Sequence, residues 1–155
     1  MIRIQEEDFC LQTEYDAMRR QSGARAGAIC MFTGLVRDFG DQSGVESIYL
    51  EHYAGMTEKS LQSIIDKARS RWPLEAIRII HRVGDLSLNE QIVLVGISSA
   101  HRDAAFQACQ FIMDFLKREA PIWKKEISAE SALWVEAKSS DLAKSEKWSD
   151  DSKSE

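Results

Sequence analysis

Apolar residues recur along this chain at two spacings, and the spacing assigns most of its elements. Leu61, Ile64, Ile65, Ala68 and Trp72 form one stripe at the helical period. Thr57 is placed to cap that helix, Glu58 favours the positive end of its dipole, and Pro73 closes it. A second long helix is predicted from about His101 to Glu119, with Phe106, Cys109, Met113 and Leu116 buried and Pro121 beyond its end. Glu14 to Gln21 predicts a shorter helix with Tyr15 and Met18 on one face.

Between the helices the period changes to two. Ala26 to Thr33 is a continuous small and apolar run that suits a buried strand. Val45 to Tyr53 alternates, with Ile48, Leu50 and His52 pointing one way and Tyr49, Glu51 and Tyr53 the other. Leu74 to Val83 and Gln91 to Ser99 read as strands, connected through Gly84-Asp85 and Asn89-Glu90. Trp123 to Ile127 and Leu133 to Ala137 read as a hairpin around Ser128-Ala129-Glu130. No regular strand–helix–strand alternation runs through this order, so the expected class is α+β rather than a doubly wound sheet.

With 155 residues, 44% of them hydrophobic, the chain is long enough for one domain with a core that needs no disulfide or metal staple. The apolar pattern fades near Lys138. A folded body of residues 1–138 is therefore expected, followed by a polar tail, residues 139–155, that buries too little to order itself. In that tail Trp148 is expected to pack only loosely. The net charge of -5 argues against general nucleic-acid binding. Glu6, Glu7 and Asp8 interrupt the N-terminus, and no apolar run reaches the length of a membrane span, so a cytoplasmic chain is expected. The three cysteines Cys10, Cys30 and Cys109 stand far apart, and all three are expected to be packed, with no metal site and no disulfide framework.

Candidate chemistry gathers at three places. Ser98-Ser99-Ala100-His101-Arg102 joins a strand to a helix, whose unpaired N–H groups and basic residues suit a phosphate or carboxylate; spacing alone favours the plainer reading, in which Ser99 caps the helix and the basic side chains are solvated. Lys117 borders the apolar stripe of the second helix, and Lys124 opens the hairpin with Lys125 on the opposite face. Lysines so placed either lose water and gain reactivity or extend their stems out of the core edge, and spacing alone favours the second. Gly34 to Gly40 carries Arg37 between two glycines but matches no nucleotide-binding fingerprint.

The motifs in order are Phe32-Thr33-Gly34 with Val36-Arg37, Leu50-Glu51-His52-Tyr53 with Gly55-Met56-Thr57-Glu58, and Arg71-Trp72-Pro73-Leu74. They continue as His81-Arg82-Val83-Gly84, Ser99-Ala100-His101-Arg102, Gln110-Phe111-Ile112-Met113-Asp114, Leu116-Lys117, Ala120-Pro121 with Trp123-Lys124, and Trp134-Val135-Glu136-Ala137. This series resembles the large, catalytic subunit of molybdopterin synthase. The resemblance implies an α/β hammerhead-type sandwich with an additional small antiparallel sheet. It implies a sulfurtransferase that converts cyclic pyranopterin monophosphate to molybdopterin, using sulfur from the C-terminal thiocarboxylate of a small ubiquitin-like carrier subunit. It also implies a homodimer core within a heterotetramer, cavities shared between the two copies, and no cofactor.

Carried over by position, Lys117 and Lys124 correspond to the family's catalytic lysines, and Arg37, His101 and Arg102 to its substrate-anion residues. Phe32, Met113 and Pro121 would line the channel for the carrier's Gly-Gly tail. Lys138 stands where the family places a substrate-binding arginine and would take that contact, keeping the charge and losing the planar fork. Ala54 replaces the usual proline. One lysine would move a proton or meet the carrier's terminal carbonyl and the other would stabilise charge, in either order. The alternative is a noncatalytic scaffold that binds a ubiquitin-like partner and a phosphorylated ligand.

Overall fold

The most apolar strands of the chain form the centre of one sheet, and their two faces call for helices on both sides. The computed structural model describes residues 1–38, 44–129, 132–135 and 139–149. Their order is β1 (Ile2–Gln5), α1 (Leu11–Ser22), β2 (Ala28–Leu35), β3 (Val45–His52), α2 (Met56–Arg71) and β4 (Leu74–Arg82). Then come β5 (Gly84–Ser87), β6 (Gln91–Ser99), α3 (Arg102–Glu119), β7 (Ile122–Ser128), β8 (Ala132–Val135) and α4 (Ser139–Glu146).

The first sheet runs β1-β4-β6-β2, with β1 parallel to β4 and the other pairs antiparallel. Ile77 and Ile79 of β4 and Val93, Val95 and Ile97 of β6 pack under Leu61, Ile64, Ile65 and Ala68 of α2 and Ala108, Phe111 and Ile112 of α3. On the other face Ile80 and Leu94 meet Phe9, and α1 lies so close that a Cβ on Gly96 would stand 2.6 Å from Met18 Sδ. Buried Glu14 of α1 is held there by Arg3 and Arg78. The second sheet, β5-β3-β7-β8, is antiparallel throughout and encloses a smaller core of Val36, Val45, Ile48, Leu50, Val83 and Leu86. The architecture is α+β, as the interspersed pattern predicts.

Several local expectations are corrected. Phe106 is 62% exposed, because the buried stripe of α3 runs through Ala105, Ala108, Cys109 and Ile112, and the next residue round the helix points away. Cys10 is exposed while its neighbour Phe9 fills the core. Thr57 does not cap α2. Gly55 precedes that helix at φ 85°, its N–H donates to Glu58 Oε2 at 2.6 Å, and buried Thr57 donates to the Pro121 carbonyl at 3.0 Å. Ser99 likewise does not cap α3; its hydroxyl donates to the Pro73 carbonyl at 2.8 Å, and His101 is the residue before the helix.

The largest correction concerns the tail. Ser139–Glu146 is helical, and Trp148 is seated on the main core rather than loose. Its ring meets Phe111 and Trp72 edge-on at 5.5 and 5.8 Å, and Nε1 donates to Asp114 Oδ2 at 2.8 Å. Lys147 adds an ion pair to that buried carboxylate at 3.3 Å. One aromatic and one buried acid thus supply what the polar composition of the segment lacks. Trp148→Ala is expected to lower stability by about 1–3 kcal/mol, less than a fully enclosed tryptophan because the site is partly open. The midpoint of urea unfolding checks it.

Candidate active site

Where the two sheets meet the end of α3, a cavity of about 460 Å³ opens, within the range of small-molecule sites. Its floor is the second core, with Val36, Ile48, Leu50 and Ile122 contributing. Its polar wall is assembled from five elements, and local structure explains each placement.

Lys117 lies in the last turn of α3, where the negative end of the helix dipole favours a cation, and buried Leu116 anchors the turn. Lys124 lies on β7 opposite Leu50 of β3 and Val135 of β8. Strand alternation sends Lys124 and Glu126 into the cavity and Lys125 to the other face, over the ring of Trp134 at 5.1 Å. Lys124 Nζ stands 3.5 Å from Glu126 Oε1, and that carboxylate is buried. Arg37 follows β2 at the rim, and Ser140, Asp141 and Lys144 of α4 form the remaining side.

The wall also holds His81, the penultimate residue of β4 and only 6% exposed. Its Nδ1 is 2.8 Å from the carbonyl of Arg82. Burial pushes its pKa down to about 4, opposed by the Arg82 bond and assisted by electrostatic repulsion from neighbouring Lys117 and His52. The imidazole is therefore neutral at pH 7. In the unfolded chain it would titrate near 6.5, so the unfolded state binds more protons between pH 6.5 and 4, and stability falls across that window on acidification. Relative to His81→Gln, the native chain is expected to lose up to about 3 kcal/mol between pH 7 and pH 4. Parallel urea titrations at several pH values measure the difference.

Arg37, Lys117 and Lys124 thus share one cavity. His101 and Arg102 do not join them. They stand exposed at the opposite end of α3, about 22 Å away along a helix rising about 1.5 Å per residue. Phe32 is exposed on β2, Met113 packs against the main core, and Pro121 spends its carbonyl on Thr57; the cavity is lined by its neighbours Ala120 and Ile122. Lys138 lies outside the described residues, as do the turn residue Glu130 and the end of the expected hairpin. Among the described residues no group of three His, Cys, Asp or Glu is placed to hold a metal, and no helix is long and apolar enough to cross a membrane.

The family model described as MoaE protein matches residues 4–119. The chain belongs to the MoaE family. A relative from Vibrio cholerae serotype O1, described as molybdopterin synthase catalytic subunit, is 50% identical over 147 residues, covering 95% of this chain and 97% of its own. The Escherichia coli relative of the same description is 51% identical over 122 residues, 79% and 81% of the two chains. Among solved structures, molybdopterin cofactor biosynthesis protein E from Burkholderia multivorans superposes with a TM-score of 0.81 at 42% identity, covering 96% of each chain. A two-subunit complex of molybdopterin-converting factor from Helicobacter pylori has a TM-score of 0.74 at 19% identity, covering 89% and 92%, and supports the fold alone.

Sequence reasoning about this MoaE chain missed Glu126, His81, Asp141 and Lys144. Glu126 was within reach, because it shares the strand face of Lys124. Asp141 and Lys144 were hidden by reading their segment as unstructured. His81 carried no separate signal inside an apolar strand.

Proposed function

We propose that this chain is the catalytic subunit of a molybdopterin synthase. It takes cyclic pyranopterin monophosphate and installs the dithiolene with sulfur delivered as a thiocarboxylate on the C-terminal Gly-Gly of a small ubiquitin-like carrier subunit. The observation that carries the reading is the convergence of Arg37, Lys117 and Lys124 on one cavity in a MoaE family chain.

The chemistry suits the wall. A phosphate-bearing pterin needs fixed cations, and a guanidinium such as Arg37 binds phosphate through paired N–H donors. Each sulfur transfer replaces a C–S bond of the carrier by a C–O bond from water, releasing a carboxylate through oxyanionic species. Ammonium groups over an apolar floor stabilise such charge more strongly than they would in water. Lys117, at the helix end, and Lys124, held against Glu126, supply two of them from different directions. The Gly-Gly tail has no side chains to obstruct its approach to a narrow site.

The distance from the cavity to His101 and Arg102 supports a second copy of the chain as the source of those side chains. In that arrangement the working unit is a dimer of large subunits with one carrier at each end. The test is to mix the purified chain with thiocarboxylated carrier and the cyclic pterin and to measure dithiolene product. Product confirms a catalytic subunit; none, with a competent carrier, favours a scaffold that only binds.

A further inference from the structure

His81 lines the cavity wall from β4 as a nearly buried imidazole that no ion pair among the described residues engages. The Arg82 carbonyl can only accept, so the short contact at 2.8 Å places the imidazole proton on Nδ1. Nε2 is then a bare lone pair. It has no hydrogen-bond partner among the described residues, although the ring is almost wholly buried. Of the described residues, Arg78 Nε is the buried side-chain nitrogen left both unpartnered and sealed, so Nε2 of His81 instead opens on the cavity whose wall it forms. A buried acceptor left without a partner is costly, and a site that keeps one is ready for a ligand donor.

The other polar groups narrow the kind of donor. Arg37, Lys117, Lys124 and Lys144 attract anions, and an anion offers Nε2 nothing to accept. Glu126 and Asp141 attract cations. A neutral imidazole locked in one tautomer is suited to an uncharged N–H.

We propose that His81 is a ligand-binding residue whose Nε2 accepts a hydrogen bond from a neutral N–H of the molecule held in this cavity. The proposal rests on the cavity being the site of sulfur transfer. Two sources present that chemistry: the ring N–H groups of the pterin and the peptide N–H groups of the carrier's Gly-Gly tail. In either case the bond reads shape and hydrogen-bonding pattern where the lysines and Arg37 read charge, so it contributes selectivity over other phosphorylated molecules.

The experiment titrates the cyclic pterin, and separately a carrier ending in an ordinary Gly-Gly carboxylate, onto wild type, His81→Leu, His81→Phe and His81→Gln. Leucine and phenylalanine remove the acceptor; glutamine restores an oxygen near the position of Nε2. The expected result is a loss of about tenfold or more in affinity for one of the two molecules in whichever of the Leu and Phe variants melts like wild type. His81→Gln should recover much of it. The molecule affected identifies the donor. Unchanged affinity for both in a folded variant overturns the proposal. So does an equal loss for both that tracks a fall in melting temperature and is not rescued by glutamine, since that is a packing role. Turnover of Lys117→Ala is measured alongside. If it is undiminished, the reading of the cavity fails; if it collapses while His81 variants bind normally, only the role of His81 fails.

Discussion

Lys117→Ala is expected to reduce dithiolene product formation by about 10²- to 10³-fold, the loss seen when one preorganised donor to an oxyanion is removed. The cavity gives the reason. Its floor is apolar, its volume is about 460 Å³, and the ammonium reaches it from a helix end anchored by buried Leu116. Water replacing Lys117 would have to reorganise as charge develops, whereas the side chain is already in place. The fold should tolerate the change, because the favourable interaction of a cation with a helix terminus is worth only about 0.3–1 kcal/mol at a partly open site. Lys117→Arg separates the two roles open to this residue. An arginine that restores most of the rate assigns Lys117 to charge stabilisation; one as slow as alanine assigns it to proton transfer, which a guanidinium does not perform at neutral pH. Lys124→Ala should cut the rate similarly but also weaken the fold, since it takes away the cation facing buried Glu126 at 3.5 Å. Single-turnover assays with thiocarboxylated carrier, paired with melting curves, measure both. Product formation undiminished in both alanine variants would remove the lysines from the mechanism.

The same cavity shows what a linear pattern conveys and what it cannot. Ile77, Ile79, Val93, Val95 and Ile97 declare themselves as buried strands because their periodicity is local, and the faces assigned to Ile48, Leu50, Lys124 and Lys125 follow from alternation alone. β5 escaped because four residues with one apolar side chain, Leu86, carry no period. α4 escaped for a different reason. Its segment is too polar to order itself, and what holds it is Trp148 against Phe111, Trp72 and Asp114, residues contributed by other elements. His81 was legible as part of a motif but not as a site residue, because its bare Nε2 depends on where one backbone carbonyl points. The basic residues inferred from resemblance were legible as residues but not as an arrangement, because helix length separates Arg102 from Lys117 and no spacing rule says which copy of the chain a residue serves.

That separation leads to an expected result with no counterpart in a single-chain site. Arg102→Ala and Lys117→Ala chains, each inactive as a pure protein, should regain activity when co-expressed. Arg102 lies about 22 Å along α3 from the cavity that holds Lys117, too far for a side chain to span. If the cation reaches the cavity of a second copy, a mixed dimer contains one cavity with both residues altered and one with both intact. Random pairing of equal amounts makes half the dimers mixed, so activity should recover to about a quarter of wild type under two-fold symmetry. If Arg102 instead served the cavity of its own chain, each cavity in the mixed dimer would keep one defect and no activity would return. His101→Ala paired with Lys117→Ala should behave in the same way, because His101 precedes the same helix N-terminus. Arg37→Ala paired with Lys117→Ala should not recover, since both residues line the cavity within one chain and every cavity would carry one of the two lesions. That failed pair is the internal control, because it fixes the geometry from the same assay that detects the rescue.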